Sequence, residues 1–342
     1  MALDHVRGFV APAGANPTDW ESTTFGFFLL RWVTHLCAPI FIFLMGIGAA
    51  LRHQSKPHES RSFLLKRGLW LILLEVTWVS FCWTWDITQT NLGVLWALGG
   101  SMVLLALVLQ LSHQALVWLG LALIVGLEVA NLQPDPGPLR VLVKPTSMEF
   151  WGHRVGAAYV LLPWFGVAAL GWGIGPRMIQ MSPRILLSAG VSMLGVGAVY
   201  RWLQWTDPDS WTTQTQWSMT LADFLNPSKY PPSICFVLLT LGAGALILAG
   251  PARGSGRLAA MLETFGRVPM FFYLIHLPAA HLLGNGYAWS RFGVARVPAT
   301  EPLSILTILV AWGVLLLVLW PLCREWDALK RKRRDLRWLQ YL

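Results

Sequence analysis

Residues 29–51 read LLRWVTHLCAPIFIFLMGIGAAL. Their strongly polar side chains, Arg31, Thr34 and His35, all fall in the first third, and from Cys37 to Leu51 nothing charged occurs. At 1.5 Å of rise per residue such a run forms a helix of about 34 Å, enough to cross a hydrocarbon core of about 30 Å. The strands of a membrane barrel would alternate apolar and polar side chains over about ten residues. This stretch does not alternate, so it is read as a spanning helix.

Eight more runs meet the same standard, approximately 65–85, 92–111, 115–132, 156–175, 185–203, 232–250, 264–284 and 302–323. The composition of the 342 residues agrees with them, with 55% hydrophobic and only 13% charged residues. Soluble chains carry about 25% charge, so a soluble domain is excluded. Twenty Trp fit a protein with two membrane–water boundaries, where that side chain concentrates.

Met1 opens into ALDHVRGFVAPAG, an apolar scrap too short to span and without the charged start of a signal peptide. It reads as the outer half of a first helix, apparently truncated. The expected fold is therefore an all-α integral membrane bundle of about ten transmembrane helices. The expected division is a polytopic membrane domain over 1–323 and a basic amphipathic tail over 324–342.

The net charge of +9 resides in short loops between apolar runs. It is a topology signal, and no nucleic-acid partner is expected. With the loop 52–67 (RHQSKPHESRSFLLKR) placed in the cytoplasm, seventeen of the 26 Lys and Arg residues fall on the inner side, among them Arg253 and seven in the tail. That bias obeys the positive-inside rule and puts the C-terminus in the cytoplasm, with the tail against an anionic inner leaflet. Cys37, Cys82, Cys235 and Cys323 form no C-x-x-C pair, so neither a zinc site nor a disulfide framework is indicated. The longer, outer loops 8–28, 132–155, 204–231 and 285–301 are rich in Pro, Gly and Trp.

Ionisable residues within a span are expensive and are functional candidates by default. His5 lies in the first partial helix, His35 in the run quoted above, and His276 and His281 in the run 264–284. His5 and His35 fall in the outer half of the bilayer and His276 near its middle. Imidazole at that depth can act as general base, acyl carrier or proton relay. His276 and His281 are five apart, a spacing that does not put two ligands on one helix face, so no metal is expected. Asp4 either pairs with Arg7 one turn on or orients a histidine from another helix. Glu75 is either a base or proton relay or a structural partner for an inner basic residue, and Glu128 is a weaker candidate. In FLNPSKYPPS (224–233) a rigid proline turn presents Lys229 and Tyr230 to an outer cavity, as suits an anionic or sugar-like ligand. On the inner side Arg52, Lys66, Arg67 and Arg267 could hold phosphates. No P-loop, dinucleotide-binding glycine motif or nucleophile elbow occurs.

The strings MALDHVRGF, FFLLRWVTHLCAPIFIFLMG and FLLKRGLWLILLEV, with LLPWFGVAALGWGIG, FLNPSKYPPSICFVLLTLG and FGRVPMFFYLIHLPAAH later on, resemble a family of bacterial multi-pass proteins related to heparan-α-glucosaminide N-acetyltransferase. The resemblance runs from Met1 to about Leu283. It implies a transmembrane acyltransferase in the bacterial inner membrane, taking an acetyl or other acyl group from cytoplasmic acetyl-CoA (acyl-CoA) to a hydroxyl or amine of an extracytoplasmic glycan or glycolipid. Arg67 and Arg267 would meet the coenzyme, and Lys229 and Tyr230 the acceptor. The lysosomal relative has its proposed catalytic histidine in the loop after the first helix, whereas 8–28 holds none. His35 therefore takes the role of base or acyl carrier, with His5, Asp4 and His276 as further candidates. The alternative function is a proton-coupled transporter or flippase of a lipid or sugar-linked lipid, with the histidines as relay. Membrane lipids are expected partners, and assembly into a homo-oligomer stays open.

Overall fold

Long apolar runs satisfy their backbone polar groups internally only as helices, and a helix meets each of the nine runs. The structure, a computed structural model, describes residues 1–130, 140–204, 209–250, 256–333, 335–336 and 338–339. Arg253 of the inner side, Arg334 and Arg337 of the tail, and parts of the loops 132–155 and 204–231 lie outside the described residues.

The chain forms two compact units, Met1–Thr34 with Pro251–Leu342, and His35–Gly250. The first holds α1 (Ala2–Val10), α2 (Phe25–His35, up to Thr34), α13 (Arg257–Arg267), α14 (Pro269–Phe292) and α15 (Ile305–Lys332). The second holds α3 (Cys37–Ser55), α4 (Pro57–Leu74), a π-helical turn (Glu75–Val79), α5 (Ser80–Thr84), α6 (Val94–Leu107), α7 (His113–Ala130), the short α8 (Arg140–Val143), α9 (Leu161–Met178), α10 (Pro183–Leu203), α11 (Trp217–Phe224) and α12 (Ile234–Ala249).

Three described helical stretches are long and apolar enough to cross a membrane: Phe25–Ser55, Pro183–Leu203 and Ile305–Lys332. The pair α13 and α14, bent by 97°, makes a fourth if taken as one span. Val94–Leu107, His113–Val129 and Ile234–Ala249 are apolar but shorter. The helix ends follow local chemistry. Ser182, Ser233 and Ser304 each accept a backbone N–H at the start of α10, α12 and α15, the usual N-cap arrangement.

In the second unit α9 is the centre, with buried Trp164, Phe165 and Trp172 on its flanks. It lies so close to α3 that a Cβ on Gly46 would strike the Ala168 carbonyl, and one on Gly171 the Phe43 carbonyl. Only glycine permits that approach, as in other tightly packed membrane helices.

The helical class holds with one addition. Three short strands, β1 (Gln89–Leu92), β2 (Thr146–Phe150) and β3 (His153–Ala157), form a sheet in the order β1-β3-β2. β1 runs parallel to β3, with Gln89 opposite Arg154, and β2 antiparallel to it, with Thr146 opposite Ala157. The sheet takes the first residues of two expected spans. The helices α6 and α9 accordingly begin at Val94 and Leu161, later than the runs 92–111 and 156–175. The run 264–284 is broken at Val268: its first four residues end α13, and the rest opens α14 at Pro269, whose fixed φ suits the first helical position.

Candidate active site

α1 buries Ala2, His5, Val6, Phe9 and Val10, the i, i+3, i+4 pattern of one helix face. Its partner is α14, whose buried residues His276, Ala280, Gly284 and Ala288 repeat every four positions. Small residues at that spacing let two backbones approach. At Gly284 a Cβ would stand 2.6 Å from the Phe9 Cβ and 2.8 Å from the Phe9 carbonyl oxygen. Nearby, the Phe9 ring stacks on His281 at 4.2 Å.

That close packing brings two histidines together. Nδ1 of His5 lies 2.9 Å from Nε2 of His276, and His276 is fully buried while His5 is nearly so. Nδ1 of His276 lies 2.8 Å from the Phe272 carbonyl oxygen. A carbonyl only accepts, so Nδ1 of His276 carries the proton and donates it. With His276 neutral, its Nε2 must accept from Nδ1–H of His5. The basic atom of the neutral pair is then Nε2 of His5. The Phe272 ring lies 4.9 Å from His276 at 13°, and Tyr273 meets both imidazoles edge-on. Asp4 pairs with Arg7 at 2.8 Å, the first of its two expected roles. Its Oδ1 also accepts from the Thr34 hydroxyl at 3.2 Å.

A family model described as heparan-alpha-glucosaminide N-acetyltransferase, catalytic, matches residues 15–204, more than half of the chain. The chain belongs to this family. No curated protein and no solved structure matches it. Membership supports, in general terms, a membrane acetyltransferase. In this N-acetyltransferase-family chain His35 and Arg67 fall inside the matched region, whereas Asp4, His5, Lys229, Tyr230, Arg267 and His276 fall outside it.

His35, the last residue of α2, belongs to the second unit. It is buried there with its ring edge toward Phe236, 5.7 Å between centroids. Arg67 is half-buried on α4. Arg267, in the first unit, pairs with Glu263 at 2.9 Å and with Asp327 at 3.6 Å. Lys229 holds its ammonium 5.0 Å from the Tyr230 ring and 5.5 Å from Tyr159. The two tyrosine rings meet edge-to-face and line a cavity of about 690 Å³ with Trp83, Thr84, Asn91 and Ser147. Tyr159 escapes sequence reading because its partner lies 71 positions on and no spacing links them.

Two buried acids of the second unit, Glu75 and Glu128, finish helix ends. Oε2 of Glu75 accepts the backbone N–H groups of Leu95 at 2.6 Å and Trp96 at 3.2 Å, at the start of α6. Glu128 accepts from the Ile234 N–H at the start of α12 and from the Tyr200 hydroxyl. A carboxylate at a helix N-terminus satisfies orphan donors and the local dipole together. Arg201, buried in α10, serves the opposite end. It donates to the carbonyls of Asp223, Phe224 and Asn226 around the C-terminus of α11. Sequence reading passes over Arg201, although a cation inside an apolar run is itself a signal. Asp86 lies in the turn before β1, where hydrogen bonds from the Thr88 hydroxyl and amide, and from Gln89, hold its carboxyl below the usual range. Among the described residues no cluster of three or more His, Cys, Asp or Glu could hold a metal.

Proposed function

We propose that the chain is a transmembrane acyltransferase. It moves an acetyl or other acyl group from acyl-CoA in the cytoplasm to a hydroxyl or amine of a sugar-like acceptor across the membrane. The observation that carries this reading is the His5–His276 pair, whose tautomers are set by the Phe272 carbonyl. Family membership supplies the reaction class.

In this reading Nε2 of His5 takes the acceptor's proton as its oxygen or nitrogen attacks the thioester carbonyl. The C–S bond breaks and coenzyme A leaves as thiolate. The imidazolium of His5 returns the proton to that sulfur, and atoms and charge balance. His276 positions His5 and stabilises its charged form. The assignment places the base at His5, which His276 orients in the way a general base requires. His35 remains a candidate acyl carrier. Lys229 and Tyr230, with Tyr159, would hold the acceptor, and Arg67 and Arg267 the phosphates of the donor.

The proposed architecture is ten helices in a bacterial inner membrane, α1 among them, with the C-terminal tail from residue 324 in the cytoplasm. A paired histidine relay also suits the second reading, a proton-coupled transporter or flippase. One experiment separates the two. Purified protein in proteoliposomes is given acetyl-CoA outside and an amino sugar inside. Release of coenzyme A thiol with acetylated sugar supports the enzyme, and proton-coupled solute uptake without thioester cleavage contradicts it.

A further inference from the structure

We infer that α13 is an in-plane membrane helix, seated in the headgroup layer of an anionic leaflet on the side where α15 ends. Three observations place it there. First, α13 meets α14 at 97° across Val268, so if α14 runs along the membrane normal, α13 runs close to the plane. Second, its apolar arc is wider than the protein covers. Leu258, Met261, Leu262 and Phe265 share one face, consistent with the helical period. Phe265 packs on Phe272 at 4.7 Å, yet Leu258 and Leu262 stay 70% and 59% exposed. Third, its depth is marked. The apolar stretch of α15 runs from Ile305 to Leu322, and charge begins at Arg324. Arg267, the last residue of α13, pairs with Asp327 at 3.6 Å, and Asp327 lies about 4.5 Å along the axis beyond Arg324. The C-terminal end of α13 therefore sits just outside the hydrocarbon boundary, where Trp326 stacks on Phe271 at 4.5 Å.

The charges select the leaflet chemistry. Arg257 opens α13 exposed, while Lys330, Arg331 and Lys332 close α15. Glu263 is paired with Arg267 and Asp327 with Arg331, and among the described residues of α13 and α15 basic side chains outnumber acidic ones, with exposed Arg257 and Lys332 adding positive charge toward the headgroups. An amphipathic helix of this kind buries its apolar face at the acyl boundary and gains from anionic lipid. Because α13 continues into α14, the membrane surface would fix the depth of the helix that carries His276. The inference rests on α14 and α15 as spans.

The test is site-directed fluorescence in proteoliposomes. Bimane is attached to Leu258→Cys, Leu262→Cys, Glu263→Cys or Leu317→Cys, each made with Cys37→Ser because the other native thiols are buried. Brominated lipid should quench the labels at 258 and 262, while aqueous iodide quenches the label at 263. Iodide quenching at 258 and 262 overturns the inference, and so does quenching by neither agent, which would mean that protein covers that face. Arg257→Glu should weaken lipid quenching at 258 in phosphatidylglycerol-containing vesicles and leave it unchanged in pure phosphatidylcholine. Equal quenching in both overturns the anionic preference. Leu317 is exposed on α15, and if its label escapes lipid quenching the span reading fails rather than the placement of α13.

Discussion

Nδ1 of His5 and Nε2 of His276 stand 2.9 Å apart although 271 positions separate them in the chain. The contact joins α1 to α14, and a carbonyl on α14 itself decides which nitrogen holds each proton. With the tautomers fixed in this way the basic nitrogen of the neutral pair is Nε2 of His5, and that constraint organises the proposed chemistry.

If His276 positions His5, its replacement should be graded by hydrogen bonding rather than by size. In His276→Gln the amide can accept from His5 and donate to Phe272, so part of the rate survives. In His276→Leu both partners lose their bond, at about 1–3 kcal/mol for each buried group. His5→Ala should lower kcat about 10²–10⁴-fold, the usual contribution of a general base, with little change in KM for acetyl-CoA. Initial rates of thiol release for the three variants check the order.

Gly284 controls the same contact without touching a polar side chain. Gly284→Val should push Phe9 away, costing about 1–3 kcal/mol as overpacking does, and should separate His5 from His276 with loss of activity. A Cβ at Gly8 would meet only open space, so Gly8→Ala should keep both stability and activity. Thermal unfolding in detergent alongside the activity assay distinguishes these outcomes.

The helices are legible in the sequence because apolar length is a strong signal. The pairing of His5 with His276 is not, since no local pattern links two helices at opposite ends of the chain. A clue lies in Ala280, Gly284 and Ala288, whose small-residue spacing marks a contact face. Spacing within one helix, as between His276 and His281, cannot show a partner on another. The sheet is hidden for a related reason: β1 pairs with β3 across more than sixty residues, and both segments read as loop or as the first turn of a span. The break before α14 is visible in Pro269, and the roles of Glu75 and Glu128 require knowing which helix begins beside each.

Glu75 should behave as a cap and not as a proton relay. Glu75→Gln keeps an acceptor for the Leu95 and Trp96 amides and should lower the unfolding temperature slightly. Glu75→Ala leaves both N–H groups buried without it and should cost about 1–3 kcal/mol for each. In both variants the turnover per folded molecule should stay near wild type. A rate loss in a fully folded Glu75→Gln protein would argue for a relay.

Lys229 and Tyr159 should act on acceptor binding. Lys229→Ala and Tyr159→Leu should raise KM for the acceptor with kcat and donor KM little changed, the pattern of an interaction made equally in ground and transition states. A purely structural role would instead lower the fraction of folded protein and leave KM as it is.

The most direct test of the account is acetyl-CoA binding and thiol release by the purified protein, with His5→Ala and His35→Ala side by side. The account predicts that His5→Ala still binds acetyl-CoA but no longer speeds thiol release to the acceptor. Wild-type release by His5→Ala, with release abolished in His35→Ala, would contradict it and return the catalytic base to His35.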